Sequence, residues 1–220
     1  MNHHAFTFSG ADLRALGSGA LWWPDQALLC VSDLHLGKSE RVARRSGQSL
    51  PPYETRDTLT RLAADLERTG ARAVICLGDS FDDAGAAASL PGEDRAAIAA
   101  LQAGRRWIWI AGNHDPAPVD FGGEQRGDVV LGPLIFRHIA TADGTGEVSG
   151  HYHPKADVQA RGRRISRPAF LLDINRLILP AYGTYTGGLH SHSDALRGLM
   201  APSAIAILTG PVPTCVPMPR

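Results

Sequence analysis

Three short apolar segments in the first half of the chain each run directly into a cluster of acidic, amide and imidazole side chains. The segments are residues 28–32, 73–77 and 107–111, and apolar runs of this length are typical of buried strands. In an α/β protein, ligands bind beyond the carboxyl ends of parallel strands. The pattern therefore predicts one polar site at a sheet edge. The residues that would build it are Asp33, His35, Asp79, Asp82, Asn113, His114 and Asp115.

The segments between these strands have helical periodicity. Leucines recur at helical spacing in residues 59–66 ahead of Gly70, and a second, alanine-rich helix around Ile98 is expected to end at Gly104. The first half of the chain is thus βαβαβ-like, and the second half is mostly β. This order predicts an α/β fold in which helices cover sheets. The other expected strands lie at 6–8, 20–23, 129–130, 134–136, 170–172, 177–179 and 204–208.

Composition adds a few limits. The chain has 220 residues, which suits one compact domain over residues 1–220. Its 22 basic and 22 acidic residues exclude a uniformly basic protein of the histone type. No apolar run approaches the 18 or so residues of a membrane span, and the start lacks the apolar stretch of a signal peptide. The three cysteines form no CxxC motif, so we expect free thiols in a cytoplasmic protein that does not bind membranes.

Histidines in the second half extend the predicted site. His138 follows the strand at 134–136, and His151 and His153 form an HxH motif directly after Gly150. Together with the first-half residues they offer oxygen and imidazole ligands and no thiolate, a set that suits Mn²⁺, Fe or Zn²⁺. Each motif alone is ordinary surface sequence. Five of them in one chain, each at a strand end, predict a metal centre.

The order of these motifs, DxH, GDxxD, GNHD, H and GHxH, resembles that of the calcineurin-like metallophosphoesterases. The resemblance covers residues 33–153. It implies a four-layer αββα sandwich, in which two mixed sheets are flanked by helices. It also implies two divalent metal ions, for which we expect Mn²⁺, with Fe or Zn²⁺ as alternatives.

The resemblance implies a role for each residue. One metal ion would be held by Asp33, His35 and His153, the other by Asn113, His138 and His151, and Asp79 would bridge them. A hydroxide between the ions would attack phosphorus in line with the leaving oxygen. The catalytic residues would be His114, which assists the leaving group, and Asp82, which orients His114. We expect Asp115 to be a hydrogen-bond acceptor that shapes its loop.

A narrower resemblance rests on three segments, 33–38, 150–154 and 179–189 (LPAYGTYTGGL). They are similar to those of bacterial ligase-associated phosphoesterases of the DNA damage response. This similarity implies a phosphodiesterase or endonuclease that acts on DNA in repair, in a pathway shared with a DNA ligase and a helicase. Two alternatives remain, a hydrolase of small nucleotides or other soluble phosphodiesters, and a non-catalytic scaffold. Scaffolds of this fold lack the catalytic histidine, which is present here as His114.

Two clusters of basic residues, at 38–45 and 155–167, each follow a predicted metal-binding loop. They read either as a track for a phosphate backbone or as solvated surface. The spacings from Asp115 to His138 (138 − 115 = 23) and from His138 to His151 (151 − 138 = 13) leave no room for a lid, so the site should be open. His190 and His192 form a second HxH motif, which we expect in a surface loop. The candidate contacts to nucleic acid or other substrate are Lys38, Arg41, Arg45, Arg161, Arg163 and Arg164.

Overall fold

The computed structural model describes residues 2–47, 50–115, 120–160 and 162–220. Two sheets account for most of the regular structure in these ranges. The strands are β1 His3–Phe8, β2 Ala11–Leu16, β3 Leu21–Trp23, β4 Leu28–Val31, β5 Ala73–Cys76, β6 Arg106–Ile110, β7 Glu124–Arg126, β8 Val129–Leu131, β9 Leu134–Phe136, β10 Glu147–Ser149, β11 Lys155–Ala160, β12 Arg163–Leu172, β13 Arg176–Ile178, β14 Ile205–Leu208 and β15 Thr214–Pro217. The α-helices are α1 Lys38–Ser46, α2 Glu54–Thr69, α3 Ala84–Ser89, α4 Gly92–Gln102 and α5 Asp194–Leu199.

The first sheet follows chain order from β1 to β7. Strands β1 to β4 form an antiparallel meander, whereas β4, β5, β6 and β7 run parallel. Helices α1 and α2 lie between β4 and β5, and α2 ends where predicted, with Gly70 left-handed at φ 65°. Because β4, β5 and β6 are parallel, their carboxyl ends meet at the same edge, and the predicted βαβαβ order is confirmed.

The second sheet has the order β15-β14-β12-β13-β10-β9-β8. At the centre of this sheet, β10 runs parallel to both of its neighbours, β9 and β13. The outer pairs of strands are antiparallel. Strand β11 lies off this path and pairs with the first half of β12. The two strands form a hairpin that leads away from the loop carrying His151 and His153.

Three clusters of buried side chains show how the layers stack. One lies between the sheets and joins residues such as Leu21 and Ile108 of the first sheet to Phe170 of the second. Another packs α2 and α4 on the outer face of the first sheet, and a third packs α5 on the outer face of the second. The order helix, sheet, sheet, helix confirms the expected αββα sandwich.

Two further expectations can be compared with the fold. No helix within the described ranges is long and apolar enough to cross a membrane. Cys30, Cys76 and Cys215 are free thiols, the first two buried and the third exposed. The expected cytoplasmic location stays a prediction.

Candidate metal centre

The predicted motifs come together at the carboxyl ends of five strands, three parallel strands of the first sheet and two parallel strands of the second. Asp33 and His35 follow β4, Asp79 follows β5, and the segment 113–115 follows β6, while His138 and the 151–153 loop follow β9 and β10 of the other sheet. Backbone hydrogen bonds join adjacent loops, from the His35 N–H to the Asp79 carbonyl (2.9 Å) and from the Gly150 N–H to the His138 carbonyl (3.0 Å). Side chains separated by up to 120 residues therefore share one edge of the sandwich.

Asp33, His35 and His153 form the first ligand group. One potential ligand atom from each lies within 4.8 Å of the others. The Nε2 atom of His153 is 3.1 Å from Oδ1 of Asp33 and 3.4 Å from Nε2 of His35. Two imidazole nitrogens that face each other beside a carboxylate need a proton or a cation between them. This arrangement therefore fits a divalent ion.

Asp79, His138 and His151 form the second ligand group, and Asn113 lies within it. The His138 Nδ1–H donates to the Leu77 carbonyl (2.7 Å), so Nε2 of the neutral ring presents a lone pair. That atom lies 2.8 Å from Oδ1 of Asn113 and 3.4 Å from Oδ2 of Asp79. Oδ1 of Asn113 is also 2.9 Å from Nδ1 of His151. These electron-rich atoms converge as the ligands of a second ion would.

The charges of the second group favour a cation. Burial alone would raise the pKa of Asp79, but contact with His138 and the hydrogen bond from the His114 N–H lower that pKa to about 2. Burial would lower the pKa of His138, but the Asp79 carboxylate raises it above its ordinary value. Asp79 is therefore ionised at neutral pH and supplies the negative charge that a cation in this group requires.

The backbone is strained at most of the ligands. Eight non-glycine residues in the described ranges have positive φ angles, and five of them are Asp33, His35, Asp79, His151 and His153. Left-handed backbone costs a non-glycine residue on the order of 1–3 kcal/mol and persists only where the surroundings impose it. Such strain clusters at functional sites. Both ligand groups are thus held in place by the fold at a cost in stability.

Two glycines make the close approach of these loops feasible. A Cβ atom on Gly150 would lie 1.7 Å from Oγ of Ser32 and 2.6 Å from Oδ2 of Asp33. A Cβ atom on Gly78, which has a φ of 83°, would lie 2.6 Å from Nδ1 of His138. Any larger residue at either position would displace a ligand.

Asp82 contacts His114 through its backbone and His35 through its side chain, the second of which was not expected. Its buried carboxylate lies 2.8 Å from Nδ1 of His35 and also contacts Arg41 (2.8 Å) and Lys38 (3.8 Å). What meets the His114 ring is the backbone carbonyl of Asp82, which accepts the Nδ1–H at 2.8 Å. Burial opposes the charge of Asp82, but His35, Arg41 and Lys38 hold its pKa well below the ordinary value. The side chain of Asp82 is therefore a positioning group for His35, because it aims Nε2 at the first ligand group.

Replacing Asp82 with asparagine should weaken metal binding by about 10- to 100-fold, the usual effect of removing a carboxylate that supports a metal-binding histidine. Binding of Mn²⁺ to the metal-free chain, measured by titration, tests this. Asp83→Asn is the matched control, because Asp83 is the next residue and contacts Arg44 and the Ala86 N–H but no ligand. Equal affinities in the two variants would contradict the role assigned to Asp82.

Asp115 shapes its loop, as expected. Its carboxylate accepts backbone N–H groups from Asp79 (3.0 Å), Ser80 (2.8 Å), Phe81 (3.1 Å) and Gly112 (3.1 Å). Burial raises its pKa to about 6, and the neighbouring Asp79 adds to the rise, although the N–H groups oppose it. Asp115 thereby ties the loop after β6 to the loop after β5.

The basic residues of α1 are less available than their sequence suggests. Lys38 and Arg41 are only 21% and 23% exposed and contact Asp82, while Arg45 lies 3.6 Å from Asp83. All three share the helix face that meets residues 82–83. This face borders the first ligand group, but acidic partners neutralise much of its charge.

The second basic cluster lies on the β11–β12 hairpin. In the strand register, Asp157 is paired with Ser166, and Gln159 with Arg164. Side chains alternate along a strand, so Arg164 shares the Asp157 face and Arg163 points to the other. Arg164 Nη2 donates to Oδ2 of Asp157 at 2.6 Å. The cations are thus divided between two faces and do not form one stripe. Arg161 lies outside the described residues.

Sequence reasoning missed Ser32, which is fully buried and whose hydroxyl donates to Oδ2 of Asp33. It also missed the pairing of Asp82 with His35. Ser32 is the last residue of an apolar run, directly before a ligand, and a small hydroxyl residue at that point was the available signal.

Comparisons with known proteins agree with this geometry. The family model for calcineurin-like phosphoesterases matches residues 27–193. A crystal structure of the nuclease MPE from Pseudomonas putida is similar, with a TM-score of 0.76 and 27% identity, and the match covers 97% of this chain and 100% of the nuclease. A conserved uncharacterized protein from Streptococcus pneumoniae, described as a predicted phosphoesterase, is 15% identical with a TM-score of 0.27, over 86% of this chain and 95% of its own. A comparison with curated proteins gave no match.

Proposed function

This chain belongs to the calcineurin-like phosphoesterase family and is a metal-dependent hydrolase of phosphoester bonds; we propose that it is a two-metal phosphodiesterase that cleaves the DNA backbone in repair. One observation carries the chemical part of this proposal. The two ligand groups lie side by side at the sheet edge, and His114 adjoins both, since its ring is 5.1 Å from that of His35 and its N–H donates to Asp79.

The residues of the site fit two divalent ions. Asp33, His35 and His153 would hold one, and Asn113, His138 and His151 the other, with Asp79 shared between them. Two such ions would lower the pKa of a water molecule and neutralise charge on the phosphate oxygens. The oxygen and nitrogen donors, without a thiolate, favour Mn²⁺ in this proposal.

His114 is the proposed general acid. Its Nδ1–H is engaged by the Asp82 carbonyl, so the protonated ring presents its other N–H, on Nε2, to a leaving oxygen. Its backbone N–H, bonded to Asp79, fixes the ring relative to the second ligand group. Donation of the Nε2 proton would neutralise the alkoxide that forms when the phosphodiester bond breaks.

Three observations support DNA as the substrate. The neighbour with the TM-score of 0.76 is a nuclease, and it matches this chain over nearly the whole of both. The segments from Asp115 to His138 and from His138 to His151 are short, so no lid is expected there that would exclude a polymer. Arg41 and Arg45 of α1 border the first ligand group, where a phosphate backbone would leave the site.

One observation favours the second candidate, a hydrolase of small soluble phosphodiesters. Asp82, Asp83 and Glu40 pair with the cations of α1, so the positive surface beside the site is weaker than the sequence implies. A small substrate needs no extended basic surface, because its affinity comes from the metal centre alone.

A substrate panel separates the two candidates. Metal-free chain reconstituted with Mn²⁺ is offered single-stranded, duplex and nicked DNA, and separately cyclic mononucleotides. The proposal predicts new DNA ends that require metal, at rates well above those for the cyclic nucleotides. Hydrolysis of the cyclic nucleotides with no cleavage of any DNA would favour the second candidate. The proposed repair role gains support if genes for a DNA ligase or a helicase lie beside the gene for this chain.

A further inference from the structure

A second cluster of potential metal ligands lies outside the centre described above. Asp157, His190 and His192 each offer one atom within 4.8 Å of the others. Nδ1 of His190 is 3.0 Å from Oδ2 of Asp157, and Nδ1 of His192 is 3.8 Å from the same oxygen. The two imidazole rings stack, with centroids 5.2 Å apart and planes 24° from parallel.

The backbone holds these residues in register. The Lys155 N–H donates to the Leu189 carbonyl (2.8 Å), and the Ser191 N–H donates to the Lys155 carbonyl (2.7 Å), so the segment around His190 lies beside the start of β11. His190 and His192 are two positions apart in the HxH motif, and both therefore point to the side where Asp157 emerges. The loop is on the surface, as expected, but its histidines converge.

Burial and unused hydrogen-bonding atoms indicate that the cluster is built for a ligand. The side chain of Asp157 is only 9% exposed, whereas the histidines are 44% and 45% exposed. Oδ1 of Asp157 is buried and has no hydrogen-bond partner in the described part of the chain, and the buried Nδ1 of His190 faces the carboxylate at 3.0 Å without hydrogen-bond geometry. Arg164 chiefly, then a contact with Ser166 and the charge of His190, lower the pKa of Asp157 to about 2, so the carboxylate is ionised at neutral pH.

We propose that Asp157, His190 and His192 form a separate binding site for one divalent transition-metal ion of the Zn²⁺ class. Two imidazoles and one carboxylate are a donor set that binds such ions and leaves positions open to water. Arg164 donates one hydrogen bond to Oδ2 of Asp157, the oxygen that both histidine nitrogens also face, and an oxygen that accepts a single hydrogen bond keeps a lone pair for an ion. The exposed edges of the histidines provide the entry path.

The place of the site suggests what a bound ion would do. Asp157 is four residues beyond His153, at most about 13 Å along an extended chain. The segment that carries His190 also packs on the His153 loop, since the Leu189 N–H donates to the Tyr152 carbonyl (3.2 Å) and a Cβ on Gly188 would lie 2.0 Å from the His153 carbonyl oxygen. An ion at this site would link residues 189–192 to the β11–β12 hairpin.

Counting bound zinc tests the proposal. The chain is stripped with a chelator, titrated with Zn²⁺ alone, separated from free metal by gel filtration and analysed for metal content. We expect the double variant His190→Asn/His192→Asn to hold one zinc ion fewer per chain than the wild type. The matched control is His3→Asn/His4→Asn, which removes two partly exposed histidines from β1 and should lose none.

Two further measurements keep this test independent of the proposed function. The His190→Asn/His192→Asn variant should hydrolyse bis-p-nitrophenyl phosphate at the wild-type rate, because neither histidine belongs to the ligand groups. A chain with Asp33→Asn and Asp79→Asn should still bind one zinc ion, and that ion should be lost when Asp157→Asn is added. Equal zinc content in the wild type and His190→Asn/His192→Asn would overturn the proposal, whatever the hydrolysis assay shows.

Discussion

Replacing His114 with alanine should lower the rate of DNA cleavage by about 100- to 10,000-fold, while both metal ions remain bound. The physical reason is the loss of the Nε2 proton that the leaving alkoxide requires. His114 supplies no atom to the two ligand groups, and its contact with the ligand Asp79 is made by the backbone N–H, which alanine retains. Single-turnover cleavage of a DNA oligonucleotide at saturating Mn²⁺, together with metal content, measures both parts of the prediction.

The choice of leaving group makes this prediction specific. The loss should be much smaller on bis-p-nitrophenyl phosphate, because p-nitrophenolate leaves readily without a proton. His4→Ala is the control, since it removes a partly exposed imidazole from β1. Equal losses on both substrates would rule out proton donation by His114, and wild-type activity on DNA would rule out any catalytic role.

Replacing Asp79 with asparagine should lower turnover by about 1,000-fold or more on every substrate. A metal centre contributes several kcal/mol to the transition state, and each 1.36 kcal/mol corresponds to a factor of about ten. Asparagine keeps the size of the side chain but removes the charge that His138 and the His114 N–H stabilise at a pKa of about 2. Turnover and metal content are measured over a range of Mn²⁺ concentrations.

The Asp79 variant should differ from the His114 variant in one respect. Its metal content should fall, and high Mn²⁺ should restore only part of its turnover. The control is Asp25→Asn, which neutralises an exposed carboxylate that precedes β4, at the opposite end of that strand from the ligand Asp33. If Asp79→Asn binds two ions and turns over within tenfold of the wild type, Asp79 is not shared between the ions.

The polar residues at strand ends were the most predictive part of the sequence. Short apolar runs and leucine periodicity specify β4, β5, β6 and the helices between them, and parallel strands place their carboxyl ends together. The site therefore follows from local patterns and one topological rule. The order of the motifs along the chain supplied the roles of the individual residues, including His138, for which the only local signal is its place after a strand.

Other features could not be predicted, because they depend on packing between distant segments. The partner of the Asp82 carboxylate is His35, and GDxxD spacing alone does not reveal which imidazole a carboxylate will meet. In the hairpin, β11 alternates polar and apolar residues, but the first half of β12 is polar on both faces, so its sequence does not mark it as a strand. The convergence of His190 with Asp157 needs the backbone pairing at Lys155, which no sequence pattern indicates.

The positive φ angles have the same origin. Asp and His adopt left-handed backbone more often than most non-glycine residues, but the residue types of Asp33, His35 and His153 do not predict it at these positions, where loops from two sheets meet. Metal ions that bind only the folded chain would offset this strain, because ligand binding to the native state raises its stability. The ligand loops are thus the part of the fold whose stability depends most on occupancy.

Hydrolysis of bis-p-nitrophenyl phosphate by the metal-free and the Mn²⁺-reconstituted chain is the most direct test of a two-metal phosphodiesterase. We expect no turnover without metal, full turnover when two ions are bound per chain at the two ligand groups, and loss of turnover in Asp79→Asn. A chain that holds two ions at these groups and releases no p-nitrophenolate with Mn²⁺, Fe²⁺ or Zn²⁺ would contradict this expectation.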